Sequence, residues 1–452
     1  MSAKRTVRYV CQQCGNVSAK WMGRCDNCGA WNSLVEEATA VNKKAVVDRT
    51  NGTPLVVEKL AQVKVDALTY RFGTGMSQAD AVLGGGLMPG GVVLLAGQPG
   101  IGKSTLLMQL VLHIGKQHPV LYVSGEESAG QVKLRAERLT RDLPAQVSLV
   151  TSTSADDTAA TIAAGQFKVV IVDSMQTIAM ADIASAPGTV SQITNSANII
   201  IRAAKQSNTA VVLVGHVTKE GSIAGPKVLE HLVDVVLSLE GDRYGGFKLL
   251  RAAKNRYGST HDVAIYEMAG EGLREVEDAS ASLLAERGKS DGSVVLATLE
   301  GSRPLLVEIQ ALVNKSPFGY PKRTASGFDL NRLTLLIAVL EKRTKLDLSD
   351  KDVFINVVGG LKLIDPAADL AICMAIASAA AERKLPDDVV VFGEVGLGGE
   401  VRSVTRVQQR IAEAKKLGFT RALGPESTRT RSAFVTSVND VRDALNTYLQ
   451  KR

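Results

Sequence analysis

The stretch GQPGIGKS at residues 97–104 limits the fold of this chain more than any other feature of its sequence. It matches the pattern G-x-x-x-x-G-K-[ST], follows the apolar run VVLLA and opens the helix-like segment STLLMQLVLHI. A strand, a glycine-rich turn and a helix in this order let backbone N–H groups and the positive helix end converge on phosphate oxygens. The expected nucleotide-binding residues are Gly97, Gln98, Pro99, Gly100, Ile101, Gly102, Lys103, Ser104 and Thr105.

A carboxylate beside this loop is expected to complete a Mg²⁺ site. Lys103 should reach the β- and γ-phosphates of ATP, and Ser104 should bind the metal ion. The run KVVIVDS is β-branched and ends at Asp173, which predicts that this carboxylate lies at the carboxyl edge of a sheet, beside the loop. There it can order the coordination shell of Mg²⁺.

ATP hydrolysis also needs a group that orients the attacking water. Glu126 and Glu127 follow the strand-like run PVLYVSG, again at a carboxyl edge, and either can be that base. The alternative is a carboxylate pair that only complements the positive end of a helix. His216, in VVLVGHVTKEG, occupies the position expected of a γ-phosphate sensor.

The order of apolar segments divides the chain into four sections. Residues 1–34 are cysteine-rich, and residues 35–60 are polar without a sustained period, as expected of a linker. In residues 61–275, β-branched runs alternate with helix-length stretches, which predicts a parallel sheet covered by helices. A polar patch at 287–292 marks the beginning of a second α/β section, which we place at 285–452.

Two CxxC pairs near the N-terminus predict a metal site. Cys11 and Cys14 form the first pair, and Cys25 and Cys28 form the second after ten intervening residues. Each pair places two thiolates on one tight turn, so two facing turns offer the tetrahedral set of four sulfurs that Zn²⁺ prefers. Rubredoxin-like iron and a redox pair are the alternatives.

Composition adds a few limits to this interpretation. A chain of 452 residues exceeds the size of one hydrophobic core, so two or three domains are expected. The formal charge of +7 permits a polyanionic partner without requiring one. We find no secretory signal and no apolar run of about 18 residues, so no membrane association is expected. A reducing, cytoplasmic compartment is expected, because the cysteines do not suggest a disulfide framework. Trp21 and Trp31, the only tryptophans, are expected to cover the small core of the cysteine-rich section, and stacking on nucleic-acid bases is the alternative.

These motifs together resemble a RecA-type ATPase, whose approach to the phosphate loop is similar to TGMSQADAVLGGGLMPGGVVLLAG. The order of two CxxC pairs, ATPase core, KNRYG and α/β tail is similar to the bacterial RadA family, also called Sms, over essentially the whole chain. The resemblance implies an α/β fold class: an N-terminal zinc-ribbon or rubredoxin-like knuckle, a RecA-like P-loop ATPase core and a C-terminal Lon-protease-like domain. Similarity to related ATPases also favours Glu126 over Glu127 as the base.

The activity that this resemblance implies is motor action on DNA. It implies a DNA-dependent ATPase that drives branch migration and helicase-like unwinding during recombinational repair. The implied assembly is a homohexameric ring on single-stranded and branched DNA, located in the cytoplasm with the nucleoid. RecA recombinase is an implied partner.

The same resemblance makes a prediction about the C-terminal section. Peptidases of the Lon type use a serine and a lysine, and the matching positions here are Ala367 and Gln408. Neither side chain can attack a peptide carbonyl or accept a proton, so no peptidase activity is expected. Oligomer contacts and a DNA-facing surface with Lys315, Lys322 and Arg323 are then the expected roles, and a merely solvated basic face is the alternative.

Two polar stretches follow the strands that carry Asp173 and His216. They cover residues 182–196 and 218–231. Loops at these places line the central channel in RecA-like motors, so both are expected to touch the DNA backbone. Lys219 and Lys227 are the only lysines or arginines that the two stretches offer, and neither stretch contains an aromatic platform for stacked bases.

The segment KNRYGST at 254–260 joins two cations to a turn-like sequence. By itself it is typical of a solvated turn. Because it follows a late strand of the ATPase sheet, Lys254 and Arg256 are expected to stabilise phosphoryl charge in a neighbouring subunit of the ring. Contact between these two cations and DNA phosphates is the alternative.

Other functions compete with a DNA motor. The paired glutamates and phosphate loop are also similar to circadian-clock ATPases, which would make the chain an ATP-dependent switch or kinase. The N-terminal cysteine pairs joined to KNRYG and the tail favour the motor. An ATP-dependent protease is disfavoured by Ala367 and Gln408, and a binding module without turnover is disfavoured by the full set of ATPase motifs.

Overall fold

The computed structural model describes residues 6–39, 59–60, 70–217, 223–224, 228–241, 246–317, 319–425 and 432–449. The predicted linker falls largely outside these residues, and so do Lys219 and Lys227 of the second predicted DNA loop. The side chain of His216, the predicted γ-phosphate sensor, also lies outside the described part. In the main, residues up to Glu275 form one compact unit and residues from Val276 onward form a second.

The cysteine-rich section folds into a small antiparallel sheet. Its strands, in the order β2-β1-β3, are β1 (Thr6–Cys11), β2 (Val17–Ser18) and β3 (Leu34–Thr39). The buried residues at its centre are Cys11, Cys25 and Leu34. The interior of this sheet is therefore built around the thiols and one leucine.

The two tryptophans do not cover that interior, so the prediction for them is wrong. Trp21 is 57% exposed and Trp31 is 73% exposed. The guanidinium carbon of Arg24 lies 5.8 Å from the centre of the Trp31 ring, a cation–π contact at the surface. Tyr9, Cys14 and Met22, rather than the indole rings, pack against the buried residues of this sheet.

A ten-stranded sheet runs through residues 92–275. Its order is β13-β12-β11-β10-β4-β8-β7-β5-β6, and β9 pairs with β8 outside that order. The strands from β10 to β6 are parallel, as the sequence predicts, and every residue of β4 is buried because helices cover both faces. The strands are β4 (Val92–Gly97), β5 (Val120–Ser124), β6 (Val147–Thr151), β7 (Val169–Asp173), β8 (Ala210–Val217), β9 (Ile223–Ala224), β10 (Val235–Gly241), β11 (Lys248–Asn255), β12 (Val263–Ala269) and β13 (Gly272–Glu275).

Six helices accompany this sheet in the described residues. They are α1 (Ser77–Leu83), α2 (Lys103–Ile114), α3 (Ala129–Leu139), α4 (Ala155–Ala163), α5 (Val190–Ser207) and α6 (Val228–Leu232). The helix α3 begins with a capping box between Ser128 and Gln131. The prediction of a loop over 182–196 is wrong for its second half, because the Thr189 side chain caps α5 and the helix begins at Val190.

The second unit is built on a separate seven-stranded sheet in the order β16-β17-β15-β14-β18-β21-β22, with a two-stranded sheet, β19-β20. Its strands are β14 (Ser293–Glu300), β15 (Arg303–Lys315), β16 (Arg323–Ser326), β17 (Lys351–Val357), β18 (Val389–Val391), β19 (Glu394–Val395), β20 (Val401–Arg402), β21 (Arg421–Pro425) and β22 (Val435–Val438). Its helices are α7 (Ala279–Leu284), α8 (Leu330–Thr344), α9 (Ala368–Ala381), α10 (Val407–Lys416) and α11 (Val441–Leu449). The helix α9 is buried on nearly all sides, which explains its almost unbroken apolar sequence.

None of the helices in the described part of the chain has both the length and the apolar character needed to cross a lipid bilayer.

Candidate functional site

The predicted phosphate loop lies between β4 and α2, as its sequence requires. Gly100 and Gly102 adopt φ angles of 78° and 115°, which only glycine takes without strain. The Lys103 ammonium is buried and donates to the carbonyl oxygens of Gly97 at 2.8 Å and Gln98 at 3.1 Å. The backbone of the loop therefore has the curvature needed to direct N–H groups at a phosphate.

The Lys103 ammonium also faces two carboxylates. Burial lowers its pKa, while Asp173 and Glu126 act in the opposite direction by favouring the charged form. A polyphosphate at this place would add negative charge beside the ammonium and would replace the carbonyl oxygens as its partner.

An open cleft of about 470 Å³ brings the predicted residues together. It lies at the carboxyl edge of the parallel strands, where open α/β sheets bind ligands. The predicted residues in its lining are Pro99, Gly100, Gly102, Lys103, Ser104, Thr105, Glu126, Glu127 and Asp173. The phosphate loop, the carboxylate predicted to bind the metal ion and both candidate bases thus border one space.

Four further residues line the cleft that sequence reasoning did not identify: Ser124, Arg135, Arg138 and Met268. The two arginines lie three residues apart on α3, the helix that follows the glutamates, and this spacing places them on one helix face. Met268 is on β12, far away in sequence, and no local signal could have placed it here.

The carboxylate of Asp173 has a buried partner that the sequence did not reveal. The Tyr122 hydroxyl on β5 donates to Asp173 Oδ2 at 2.6 Å. Burial raises the pKa of Tyr122, and the neighbouring Asp173 charge adds to this effect. The hydroxyl therefore keeps its proton and holds one oxygen of Asp173, which leaves the other oxygen available to a metal ion.

The two consecutive glutamates have different partners. Glu127 forms an ion pair with Arg135 of α3. Glu126 is exposed at the cleft and accepts a hydrogen bond from the buried Ser174 hydroxyl. The prediction that one of the two is a catalytic base is compatible with either position, since both border the cleft.

The four predicted metal ligands converge in the N-terminal sheet. The sulfurs of Cys11 and Cys28 are 3.6 Å apart, as are those of Cys14 and Cys25, and all four lie within 4.8 Å of one another. A tetrahedron with Zn–S distances of about 2.3 Å has edges of about 3.8 Å, so this thiol set fits Zn²⁺. All four positions of such a tetrahedron are protein ligands, and the site would be structural rather than catalytic.

The KNRYG segment ends β11 and is tied to α6. The Lys254 ammonium donates to the carbonyl oxygens of Glu230 and Val233 at 2.8 Å each and of His231 at 3.3 Å. Burial lowers the Lys254 pKa, with a smaller contribution from the neighbouring Arg256 charge. Neither cation is part of the described lining of the cleft in its own chain.

Arg256 contacts a buried carboxylate that lies just before the start of β10, a strand of the same sheet. Its guanidinium lies 3.2 Å from Asp234 Oδ1, and the other oxygen of Asp234 accepts from the Val92 backbone N–H at 3.1 Å. Lys205 approaches the same carboxylate at 3.4 Å. KNRYG is therefore not simply a solvated turn, because its two cations bind the end of α6 and a buried aspartate.

The positions that match a Lon-type dyad lie in different environments of the second unit. Ala367 is completely buried in an apolar cluster, and Gln408 is exposed at the start of α10. Instead, Arg410 is fully buried and forms an ion pair with Asp365 at 2.7 Å. The predicted basic surface of this unit consists of Lys315, Lys322 and Arg323. Lys315 and Lys322 are exposed, whereas Arg323 donates to the carbonyl oxygen of Leu348 at 2.9 Å.

Comparison with known proteins gives similarity to three family models. Residues 62–222 match the AAA domain, residues 9–36 match the rubredoxin metal binding domain, and residues 333–428 match subunit ChlI of Mg-chelatase. The predicted fold class is confirmed: a RecA-like α/β core with an N-terminal four-cysteine ribbon and a C-terminal α/β domain of the ChlI or Lon type. The cofactors that accompany these domains are ATP, Mg²⁺ and Zn²⁺.

Full-length relatives are also found. The chain is 46% identical to the DNA repair protein RadA of Pseudomonas aeruginosa, over 98% of this chain and 99% of that protein. It is 44% identical to the DNA repair protein RadA of Bacillus subtilis, over 99% of both chains. A crystal structure of the RadB recombinase aligns with 46% of this chain and 100% of its own, at 23% identity and a TM-score of 0.37.

Proposed function

The chain belongs to the family of DNA repair proteins RadA, and we propose that it is a DNA-dependent ATPase that drives branch migration and helicase-like unwinding of recombination intermediates. The observation that carries the proposal is the single cleft at the carboxyl edge of the sheet. It combines the phosphate loop, the carboxylate of Asp173 and the glutamates at 126 and 127. Those are the parts that ATP hydrolysis requires.

In this proposal each group of the cleft has one task. Lys103 and the backbone N–H groups of residues 97–105 bind the phosphates, and Ser104 and Asp173 hold Mg²⁺. The bound metal ion supplies charge that neutralises the transferring phosphoryl group. A glutamate of the 126–127 pair orients the attacking water. Lys254 and Arg256 would act on the cleft of a neighbouring subunit, which requires a ring.

The remaining elements of the proposal concern DNA. We place a homohexameric ring on single-stranded and branched DNA, with RecA recombinase as a partner, in the cytoplasm with the nucleoid. The names of the full-length relatives support a role in DNA repair. The stretch 182–189 lies between the strand that ends at Asp173 and α5, and it is the segment of the core that we propose to contact the DNA backbone.

The C-terminal domain acts without peptidase chemistry in this proposal. A buried alanine and an exposed glutamine stand at the dyad positions, and the ion pair of Asp365 with Arg410 occupies the interior beside them. Oligomer contacts and a DNA-facing surface with Lys315 and Lys322 are the proposed roles. We propose domain limits at 1–34, 35–60, 61–275 and 285–452.

The decisive experiment compares ATP hydrolysis with and without single-stranded DNA, for the native protein and for Lys103→Ala. We expect DNA to stimulate the native protein and Lys103→Ala to be inactive. A second assay measures the extension of a three-stranded recombination intermediate. Hydrolysis without DNA stimulation or branch extension would favour an ATP-dependent switch or kinase instead.

A further inference from the structure

Glu126 and Glu127 are neighbours in sequence, yet the chain restrains them in different ways. The Ser124 hydroxyl closes the turn that carries them, since it accepts from the Glu127 N–H at 3.1 Å and donates to the Glu127 carbonyl at 2.7 Å. Beyond this turn, α3 begins at Ala129 and presents Arg135 to the carboxylate of Glu127. The side chain of Glu127 is thereby fixed towards the helix.

Glu126 is restrained from the opposite side, by the residue that follows the metal-binding aspartate. Ser174 is fully buried at the end of β7, and its hydroxyl donates to Glu126 Oε1. The backbone around Ser174 is itself held. Its carbonyl accepts from the Thr177 hydroxyl at 2.9 Å, and the next N–H, that of Met175, donates to Val214 at 3.0 Å. The donor to Glu126 therefore has a fixed position.

We propose that Ser174 is a positioning residue that directs Glu126 at the attacking water, while Arg135 keeps Glu127 out of that role. The inference rests on the proposed hydrolysis of ATP and deepens it by choosing between the two glutamates. A carboxylate on a flexible side chain loses rotational freedom when a fixed donor binds one of its oxygens. The restrained carboxylate then meets a water molecule in fewer orientations, which favours general-base catalysis.

The reaction that this arrangement serves is a phosphoryl transfer to water. The water oxygen forms a bond to the γ-phosphorus, and the bond between that phosphorus and the β–γ bridging oxygen breaks, so that ADP leaves with its electron pair. The proton of the water passes to the carboxylate of Glu126 and from there to solvent. Ser174 donates its hydrogen bond to that carboxylate throughout and exchanges no proton.

Ser174→Ala tests the proposal because it removes one hydroxyl and keeps the volume. The described lining of the cleft does not include Ser174, so the affinity for a fluorescent ATP analogue should be unchanged. We expect kcat to fall about tenfold with KM for ATP nearly constant. Thr158→Val is the matched control, since it also removes a buried hydroxyl, one that binds the Ser154 carbonyl rather than Ser174 or Glu126. The control should retain native kcat, and circular dichroism should show equal folding.

A double-mutant cycle separates positioning from a general structural effect. If Ser174 acts through Glu126, Ser174→Ala should change the single-turnover rate of Glu126→Ala by less than about twofold. The loss caused by Glu126→Gln should also exceed the loss caused by Glu127→Gln by at least about tenfold. A full further loss in the Glu126→Ala background, or equal losses at the two glutamates, would overturn the inference.

The inference and the proposed function can fail separately. If the native protein hydrolyses no ATP, or Lys103→Ala hydrolyses it normally, the proposed function fails. If the native protein is active and Ser174→Ala matches it in kcat, only the role of Ser174 is refuted.

Discussion

The hydroxyl of Tyr122 and the carboxylate of Asp173 form a part-buried hydrogen-bonded pair, 2.6 Å apart, and Asp173 lines the cleft. Tyr122 lies on β5 and Asp173 at the end of the adjacent parallel strand β7. The register pairs Asp173 with Ser124, and the long side chain of Tyr122, two residues earlier on β5, reaches the carboxylate diagonally. A hydrogen-bonded partner behind a metal ligand fixes the orientation of that ligand. Tyr122 is thus a supporting residue of the proposed Mg²⁺ site.

Tyr122→Phe should weaken the use of Mg²⁺ more than the fold. Without the hydroxyl, Asp173 can rotate, and we expect the Mg²⁺ concentration for half-maximal ATP hydrolysis to rise about tenfold. The melting temperature should change little, because the ring still fills its buried place. Titration of activity with Mg²⁺ at saturating ATP measures the effect. An unchanged Mg²⁺ requirement would show that the Asp173 orientation does not depend on Tyr122.

Lys254→Ala should lower branch migration and slightly destabilise the chain. The substitution leaves three carbonyl oxygens near the end of α6 without their cation, which costs about 1–3 kcal/mol for a hydrogen bond to a charged group. Arg256→Ala should impair the motor with less effect on stability, because its side chain is 55% exposed. Thermal melting and a three-strand branch assay measure the two effects.

Lys205→Ala is the control for these two variants. Lys205 approaches the same aspartate as Arg256 but lies outside KNRYG, and half of its side chain is exposed. We expect native branch migration for this variant. A motor defect in Lys205→Ala equal to that in Arg256→Ala would mean that Asp234, rather than KNRYG, is the critical group.

The sequence predicted the parts of the site that depend on local pattern. Three features have a spacing that predicts a particular local geometry, and the structure has those geometries. They are the phosphate loop, the strand that ends at Asp173 and the cysteine pairs. The parallel sheet could be predicted for the same reason, since β4 reads as a continuous apolar run.

The unpredicted features depend on contacts between distant segments. Trp21 and Trp31 are exposed, and Tyr9, Cys14 and Met22 pack against the buried cysteines and Leu34 instead, a tertiary arrangement that no spacing reveals. The start of α5 at Val190 is decided by the side chain of Thr189, inside a stretch whose small polar residues suggested a loop. The hydrogen bond from Ser174 to Glu126 joins residues 48 positions apart, across two strands of the sheet.

Removal of zinc should unfold the N-terminal sheet and leave the ATPase core folded. Cys11 and Cys25 are buried in the interior of that sheet, and small zinc domains lose their fold without the metal. Because Trp21 and Trp31 are the only tryptophans, near-ultraviolet circular dichroism from indole reports this sheet alone. We expect a chelator to abolish that signal while the far-ultraviolet spectrum changes little.

Cys28→Ala should reproduce the effect of the chelator, with less than one zinc ion bound per chain. Cys373→Ala is its control, because Cys373 is buried in α9, far from the ribbon in sequence, and is not part of the four-cysteine cluster. Full loss of the indole signal in Cys373→Ala, or full zinc content in Cys28→Ala, would contradict the assignment of the ligands.

The ion pair of Arg410 and Asp365 should be the most sensitive polar contact of the second unit. Arg410 is completely buried and also donates to the Ala297 carbonyl at 2.7 Å, while Asp365 accepts from the Thr298 hydroxyl and the Leu299 N–H. Arg410→Met leaves the largely buried carboxylate of Asp365 without its cation. We expect a loss of about 3–5 kcal/mol in the free energy of unfolding.

Arg402→Met is the matched control for that prediction. Arg402 also forms an ion pair, with Glu400, but its side chain is 58% exposed, so the expected loss is only about 0–1 kcal/mol. Urea unfolding, followed by far-ultraviolet circular dichroism, compares the free energies of unfolding of the two variants. In a separate assay, neither variant should gain the ability to cleave casein. Equal stability of the two variants would show that water reaches Arg410 and that the buried pair does not hold the interior of this domain together.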